Sequence, residues 1–180
     1  MAPATCPVSD DVGFTRFVLD LYGAPGVSSA CVLLQDRCAV DVNVVLLAAF
    51  VGVHGGRVPT QAELDDAAAD VKPWQDEVVV PLRRVRRRLT GGPDHPPSAA
   101  LRARIKDVEL EAEMIELERL GVIAEGLTAV VDSPAGTTAS ERVTAAIVRV
   151  LGTSDPLADE QAAVDVIARA AAALGDGASR

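Results

Sequence analysis

The polar side chains with the clearest chemical use stand at a junction between two apolar segments, within residues 21–50. They are Tyr22, Gln35, Asp36, Asp41 and Asn43. If they converge, they could line a polar pocket that binds a small ligand or supports catalysis. We favour a structural interpretation, because an amide buried without a partner costs about 1–3 kcal/mol and is usually satisfied locally. Gln35 and Asn43 would then bond each other, and Asp41 would cap the following helix.

A run of arginines forms the second group of candidate residues. These side chains avoid the apolar stripe of their predicted helix, so we expect them to project outward. If this helix and the next form an antiparallel hairpin around residues 90–98, a second basic group lies beside them. One tip of the hairpin then carries Arg83, Arg84, Arg86, Arg87, Arg88, Arg102, Arg104 and Lys106.

This expected basic tip is a candidate site for RNA or another polyanion, which would bind locally against an acidic background. The same hairpin would gather acidic side chains at its other end, namely Asp76, Glu77, Glu109, Glu111 and Glu113. The alternative, to which we give slightly more weight, is that the arginines pair with acidic residues of other helices. Candidate partners are Asp65, Asp66, Asp70 and those of the C-terminal segment.

Motifs for metal, cofactor or nucleophilic chemistry are not visible. His54 and His95 are the only histidines, and Cys31 and Cys38 do not have the spacing of a zinc site. Cys31 is better explained as a small apolar core residue. The sequence contains no phosphate-binding glycine loop and no nucleophile elbow. We therefore expect no metal and no cofactor, and we lean towards a protein that is not an enzyme.

The composition favours an all-α fold. Of the 180 residues, 49% are hydrophobic but only 3% are aromatic, so small aliphatic side chains must fill the core, as in closely packed helices. The formal net charge of -9 argues against a protein that covers nucleic acid with its whole surface. Acidic pairs such as Glu116 with Glu118 are interpreted as solvated groups that keep the protein soluble.

Cysteine usage and hydropathy predict a cytoplasmic location. Three cysteines without a close pair are typical of reduced thiols rather than of a disulfide framework. The N-terminus lacks the basic and apolar regions of a signal peptide. The longest apolar run, residues 44–53, is shorter than the roughly 20 residues that a membrane span needs. We expect no membrane contact.

Caps and apolar periodicity predict a single bundle of six to eight helices. Because residues 44–53 have no polar face, they should form its buried central helix. Pro81 should kink or break the fifth helix near Val79. Between Gly121 and Gly136 a short helix or an extended piece is expected. The residues predicted to start helices are Ser9 or Asp10, Pro25, Asp41, Thr60 with Glu63, Pro73, Ser98, Thr138 and Asp155.

The sixth helix is long enough to pack on two neighbours. Its first predicted core face contains Leu101, Ile105, Val108, Ala112 and Ile115. A second, adjacent apolar line contains Leu110, Met114 and Leu117.

The expected organisation is one main helical domain with a C-terminal addition. Residues 1–8 are predicted to be disordered, residues 9–120 form the main domain, and residues 176–180 form a tail. Residues 121–175 supply helices that either pack on the main domain or form a small appendage.

Residues 14–89 carry a recognisable pattern. It consists of Phe17, Leu21, Tyr22, Pro25, Gly26, Val27, Cys31, Gln35, Asp36, Asp41, Val42, Asn43 and the segment "KPWQDEVVVPLRRVRRRL" from Lys72. In this pattern the chain resembles a family of small bacterial proteins known as a numbered domain of unknown function. Thr15 stands where the family pattern has a second aromatic residue. The resemblance implies a helical cytoplasmic protein and assigns no activity, cofactor or site.

The expected function is that of a non-enzymatic accessory or interaction protein. Helices with two apolar faces are compatible with a homo-oligomer or a protein partner. The first alternative is a local binder of RNA or another polyanion at the basic tip. The second alternative is an enzyme or small-ligand binder that uses the polar junction.

Overall fold

The computed structural model describes residues 13–90, 96–129 and 136–177, and it confirms the predicted all-α bundle. No strand occurs in these ranges. The helices are α1 Phe14–Gly23, α2 Val27–Cys38, α3 Val42–His54, α4 Gln61–Trp74, α5 Val80–Thr90, α6 Pro96–Thr128, α7 Ala139–Leu151 and α8 Ala158–Gly177. A π-helical segment, Gln75–Val79, joins α4 to α5.

Helix α3 is the buried centre of the bundle, as the sequence predicted. Every residue from Val44 to Gly52 is buried, because α3 packs against α1, α2, α4, α6, α7 and α8. Its closest neighbour is α7, which approaches at Gly52. A Cβ atom at this position would lie 2.9 Å from the Val143 side chain and 3.1 Å from the Val143 backbone. Only glycine therefore allows this contact without a shift of α7.

The C-terminal helices α7 and α8 contribute to the same hydrophobic core as α1–α3. Val143 and Ile147 of α7 and Val164 and Ile167 of α8 are fully buried in that core. Hydrogen bonds fix the position of α7. Arg142 donates to the Gly52 carbonyl at 2.9 Å, and Arg149 to the Pro59 carbonyl at 2.6 Å.

Three of the predicted helix starts carry side-chain caps. Asp41 accepts a hydrogen bond from the Asn43 N–H at 2.9 Å at the start of α3. Thr60 forms a capping box with Glu63 at the start of α4, and Thr138 forms one at the start of α7. Ser9 and Asp10 lie outside the described residues.

Four predicted starts are wrong. Gly26, with φ of 84°, precedes α2, so Pro25 lies in the preceding turn. Pro73 lies inside α4, and Ser98 lies inside α6, which already begins at Pro96. Asp155 precedes the start of α8. There the Glu160 carboxylate accepts from the Leu157 N–H at 2.9 Å and supplies the cap instead.

Pro81 changes the helix without breaking it. The chain stays helical from Gln61 to Thr90, and the π-helical segment Gln75–Val79 ends two residues before Pro81. A π-helical turn is wider than an α-helical turn, which eases the missing hydrogen bond and the crowding that proline causes. The distortion expected near Val79 is therefore a change from α-helix to π-helix.

Helix α6 is longer than expected. It continues through Gly121 to Thr128, so the first part of the ambiguous stretch is helical. Residues 130–135 of that stretch lie outside the described part of the chain.

Among the described helices, none is by itself both long and apolar enough to span a membrane. Helices α1 and α2 taken together pass the test of length and composition, but a bend of 99° separates them.

We predict that Leu47→Ala lowers the free energy of unfolding by about 2–5 kcal/mol, because Leu47 is fully buried in α3 and its truncation leaves a cavity. Urea unfolding followed by circular dichroism measures the change. The control is Leu157→Ala, since Leu157 is 60% exposed. We expect the control to stay within about 0.5 kcal/mol of wild type. Equal losses in both variants would contradict the central position of α3.

Candidate functional site

A pocket of about 350 Å³ opens beside the N-terminal end of α3. Helices α1, α2, α3, α5 and α6 and the π-helical segment surround it, and we call it the α3 pocket. Its walls are mainly aliphatic and consist of Val18, Leu19, Val32, Val42, Leu46, Leu110, Met114 and Leu117. Its polar groups are Tyr22, Gln35, Asp41, Asn43, Gln75, Arg83 and Glu113. Aliphatic walls with converging polar groups, in a volume of a few hundred cubic ångströms, are typical of small-molecule sites.

The structure brings four of the five residues of the predicted polar junction to this pocket. Tyr22, Gln35, Asp41 and Asn43 line it, whereas Asp36 is exposed and does not. The expected hydrogen bond between Gln35 and Asn43 is absent. Asn43 instead donates from Nδ2 to Oε1 of Glu116 at 2.8 Å. The partner lies on α6, far along the chain, and spacing within residues 21–50 could not reveal it.

Asp41 is held in place by two donors from different elements. Its Oδ1 atom accepts from the Asn43 N–H, and its Oδ2 atom accepts from Nε2 of Gln75 at 3.1 Å. The cap of α3 is therefore also a bridge to the π-helical segment. Asp41 forms no ion pair with the described residues.

Glu116 is a carboxyl group buried beside Asp41, with only 1% of its surface exposed. Burial raises its pKa to about 8, and the negative charge of Asp41 acts in the same direction. The hydrogen bond from Asn43 opposes this shift in part. The Oε2 atom has no donor among the described residues. A protonated Glu116 resolves this, because its O–H can donate to the Asp41 carboxylate.

The sequence interpretation of Glu116 as a solvated group is wrong, whereas Glu118 is exposed as expected. The predicted core face of α6 is also wrong in part, because Leu101, Val108 and Ile115 are about half exposed. In the second apolar line Leu117 is buried, but Leu110 is 55% exposed. The signal that was missed is a four-residue spacing of buried positions, namely Ala112, Glu116, Leu120 and Ala124.

Two of the arginines expected at the basic tip form partly buried ion pairs instead. Arg83 donates to Glu113 at 2.8 Å and to Glu109 at 3.4 Å, and Arg86 also binds Glu109. Burial would raise the pKa of Glu109, but the hydrogen bonds and charges of Arg86 and Arg83 outweigh it and lower that pKa. The prediction that the arginine run projects outward is therefore wrong for Arg83 and Arg86.

The register of the α5–α6 hairpin explains this difference. The ion pairs place Arg86 beside Glu109, and from there α5 continues only to Thr90, whereas α6 reaches back to Pro96. The N-terminal part of α6 therefore extends beyond the end of α5. The expected partners Asp65, Asp66 and Asp70 are not used by these arginines, and Asp70 instead pairs with Arg119.

The other basic side chains of the expected tip are exposed and have no ion pair with a described residue. We call them the basic patch, which consists of Arg84, Arg87, Arg88, Arg102, Arg104 and Lys106.

The cysteines offer no reactive thiolate in the described chain. Cys31 is 1% exposed, and burial raises its pKa to about 12. Cys38 is partly buried. Its pKa is also raised, mainly by burial and in addition by the charge of Glu160. No cluster of three potential metal ligands occurs among the described residues. Cys6 and His95 lie outside them.

The architecture defines the class of this protein, an all-α bundle with a pocket between its first helices and the α5–α6 hairpin. A family model described as "Protein of unknown function (DUF2390)" matches residues 14–120. The chain belongs to this family, which confirms the resemblance seen in residues 14–89. All residues that line the α3 pocket fall within the matched range. No curated protein and no solved structure matches the chain.

We predict that Glu116→Gln changes the pH dependence of stability. The pKa of Glu116 is about 8 in the folded protein, above the roughly 4.3 of an unfolded glutamate. Below both values the folded and the unfolded chain are both protonated at this residue. As pH rises between them, the unfolded chain releases the proton first, so the free energy of unfolding falls. Glutamine cannot ionise, and the variant should lack this fall and exceed wild type in stability at about pH 9.

Urea unfolding at several values from about pH 5 to about pH 9 measures this effect. Glu118→Gln is the matched control, because Glu118 is exposed on the same helix. It should keep the wild-type dependence on pH. If the free energy of unfolding of Glu116→Gln falls with pH by as much as that of wild type, the Glu116 carboxyl does not retain its proton in the folded state.

Proposed function

We propose that this protein binds a small, partly apolar ligand in the α3 pocket. The observation that supports the proposal is the combination of aliphatic walls with converging polar groups in a space of about 350 Å³. The polar groups come from separate elements, with Tyr22 on α1, Gln35 on α2 and Arg83 on α5. Such an arrangement can fix the orientation of a ligand whose apolar part lies against the walls.

The distribution of exposed apolar side chains supports the same site. Single exposed apolar residues are common, but a group of them around one opening is a feature of interaction sites. Four of the large hydrophobic side chains that are at least 40% exposed line the α3 pocket, namely Leu19, Tyr22, Val32 and Leu110. A bound ligand would remove part of this surface from water.

The lining groups favour binding without a chemical step. The lining contains no serine, cysteine or histidine, and of its two carboxylates Glu113 is paired with Arg83 and Asp41 caps α3. The carboxyl group with the raised pKa, Glu116, is almost fully buried and does not itself line the pocket. Its contribution is to support Asn43 and Asp41 from behind.

The proposal predicts that at least one of three simple amphiphiles, octylamine, octanol and octanoate, binds with a Kd of about 1 mM or tighter, and with one molecule per protein. Isothermal titration calorimetry provides both values. Leu110→Trp should abolish this binding, because the larger side chain would fill the mouth of the pocket.

The matched control is Ile115→Trp. Ile115 lies on the same helix and is similarly exposed, at 49%, but it does not line the pocket. This variant should bind like wild type. Equal binding by both tryptophan variants would place the amphiphile elsewhere on the surface, and the absence of binding by all three compounds would refute the proposal.

A second candidate function is the local binding of RNA, and it is supported by the basic patch. Six exposed basic side chains without an ion partner among the described residues lie on α5 and on the N-terminal part of α6, in a protein with a formal net charge of -9. Phosphate groups could replace the counterions of this patch, and the affinity would then fall steeply with salt. Arg83 and Arg86 would contribute little, because glutamates already bind them.

Fluorescence anisotropy with a labelled single-stranded RNA tests this candidate at about 50 and about 200 mM salt. Combined alanine substitution of Arg87, Arg102 and Arg104 should lower the affinity. It should also make the fall of affinity with salt less steep, as expected for the loss of about three phosphate contacts. Arg169→Ala is the control, since Arg169 is exposed on α8. An unchanged affinity in the triple variant would exclude the patch as the RNA site.

The protein partner expected from the sequence stays a prediction. The surface that suits it best is an exposed apolar line along α6, formed by Leu101, Val108, Ile115 and Val122. These residues recur every seven positions, which keeps them near one side of the helix, as in helices that pack against a second helix.

A further inference from the structure

The charged side chains that line the α3 pocket are Asp41, Arg83 and Glu113. Arg83 and Glu113 bind each other at 2.8 Å, so each has an opposite charge beside it. Arg83 is further occupied by Glu109. Neither a cation nor an anion in the ligand is needed to neutralise this pair.

Asp41 differs from the other two, because no basic side chain of the described residues pairs with it. Its hydrogen-bond donors, the Asn43 N–H, the Gln75 amide and the protonated Glu116 carboxyl, are all neutral. Lys72 lines a second depression beside Asp41 but is occupied by Asp76 at 2.7 Å. The pocket therefore contains one carboxylate whose charge has no ionic partner.

The charge of Asp41 also disfavours an anion. Glu116 beside it is protonated, and Glu113 on the wall of the pocket is paired with Arg83. A carboxylate or phosphate at this place would therefore face the negative charge of Asp41, with no basic side chain free to offset it. A positively charged N–H donor would gain an ion pair with Asp41, within a partly enclosed space where such a bond is stronger than in water.

We propose that the ligand of the α3 pocket is an amphipathic amine, whose ammonium group binds Asp41 and whose apolar part lies against the aliphatic walls. This inference rests on the proposed function, because it requires the pocket to bind a small molecule. It adds the class of ligand, and it assigns to Asp41 a binding role in addition to its role as the cap of α3.

The test compares three compounds that share an eight-carbon chain and differ in the head group. At neutral pH octylamine carries a positive charge, octanol is neutral, and octanoate is negative. Calorimetry on the full chain should give an affinity for octylamine at least about tenfold higher than for octanol, and octanoate should bind most weakly.

Asp41→Asn then removes the charge but keeps a good helix cap. We expect the advantage of octylamine over octanol to shrink about tenfold in this variant, with little change for octanol. Asp36→Asn is the control, because Asp36 is nearby in the sequence and exposed but does not line the pocket. It should keep the preference for the amine.

The outcomes separate the two proposals. If none of the three compounds binds, the proposed function fails and the inference fails with it. If octanol binds as tightly as octylamine, or octanoate binds more tightly, the pocket is a ligand site but the amine is wrong. The same holds if Asp41→Asn leaves the preference unchanged. Because the head-group comparison uses the wild-type protein, it decides the question even if Asp41→Asn does not fold.

Discussion

The enclosure of α3 is the constraint on which the rest of the structure depends. This helix is apolar around its whole circumference, so it is stable in water only when other helices cover every side of it. Its N-terminal end must then be satisfied by groups from those covering helices. The Asp41 cap is bound by Gln75 of the π-helical segment, and Asn43 is bound by Glu116 of α6. Burial of helix α3 and burial of the Glu116 carboxyl group are therefore linked.

Two consequences follow for the site. Glu116 can remain buried because it is stable there in its protonated form, in which its O–H can satisfy the neighbouring Asp41. The helices that meet around the polar end of α3 leave a space between them. The α3 pocket lies at this point. Its aliphatic walls continue the core, and its polar groups belong to the network that ends α3.

The α5–α6 hairpin divides its charged side chains between structure and surface. Arg83 and Arg86 are partly buried against Glu109 and Glu113, where separating one partner would leave a charge with poor solvation. The basic patch has no such constraint and is exposed to solvent. The same arginine run thus includes two residues that fix the register of the hairpin and three that remain available for a partner.

The sequence by itself determined the helical class, the buried position of residues 44–53 and the capped starts at Asp41, Thr60 and Thr138. These features depend on local periodicity and on hydrogen bonds between residues close in the chain. The tertiary structure decided which residues are neighbours across helices: Glu116 with Asn43, Gln75 with Asp41, and Arg86 with Glu109. Helix register and long-range contacts select these pairs, and a single sequence contains no local signal for either. For that reason four members of the polar junction were found at the pocket, whereas their partners Gln75 and Glu116 were missed.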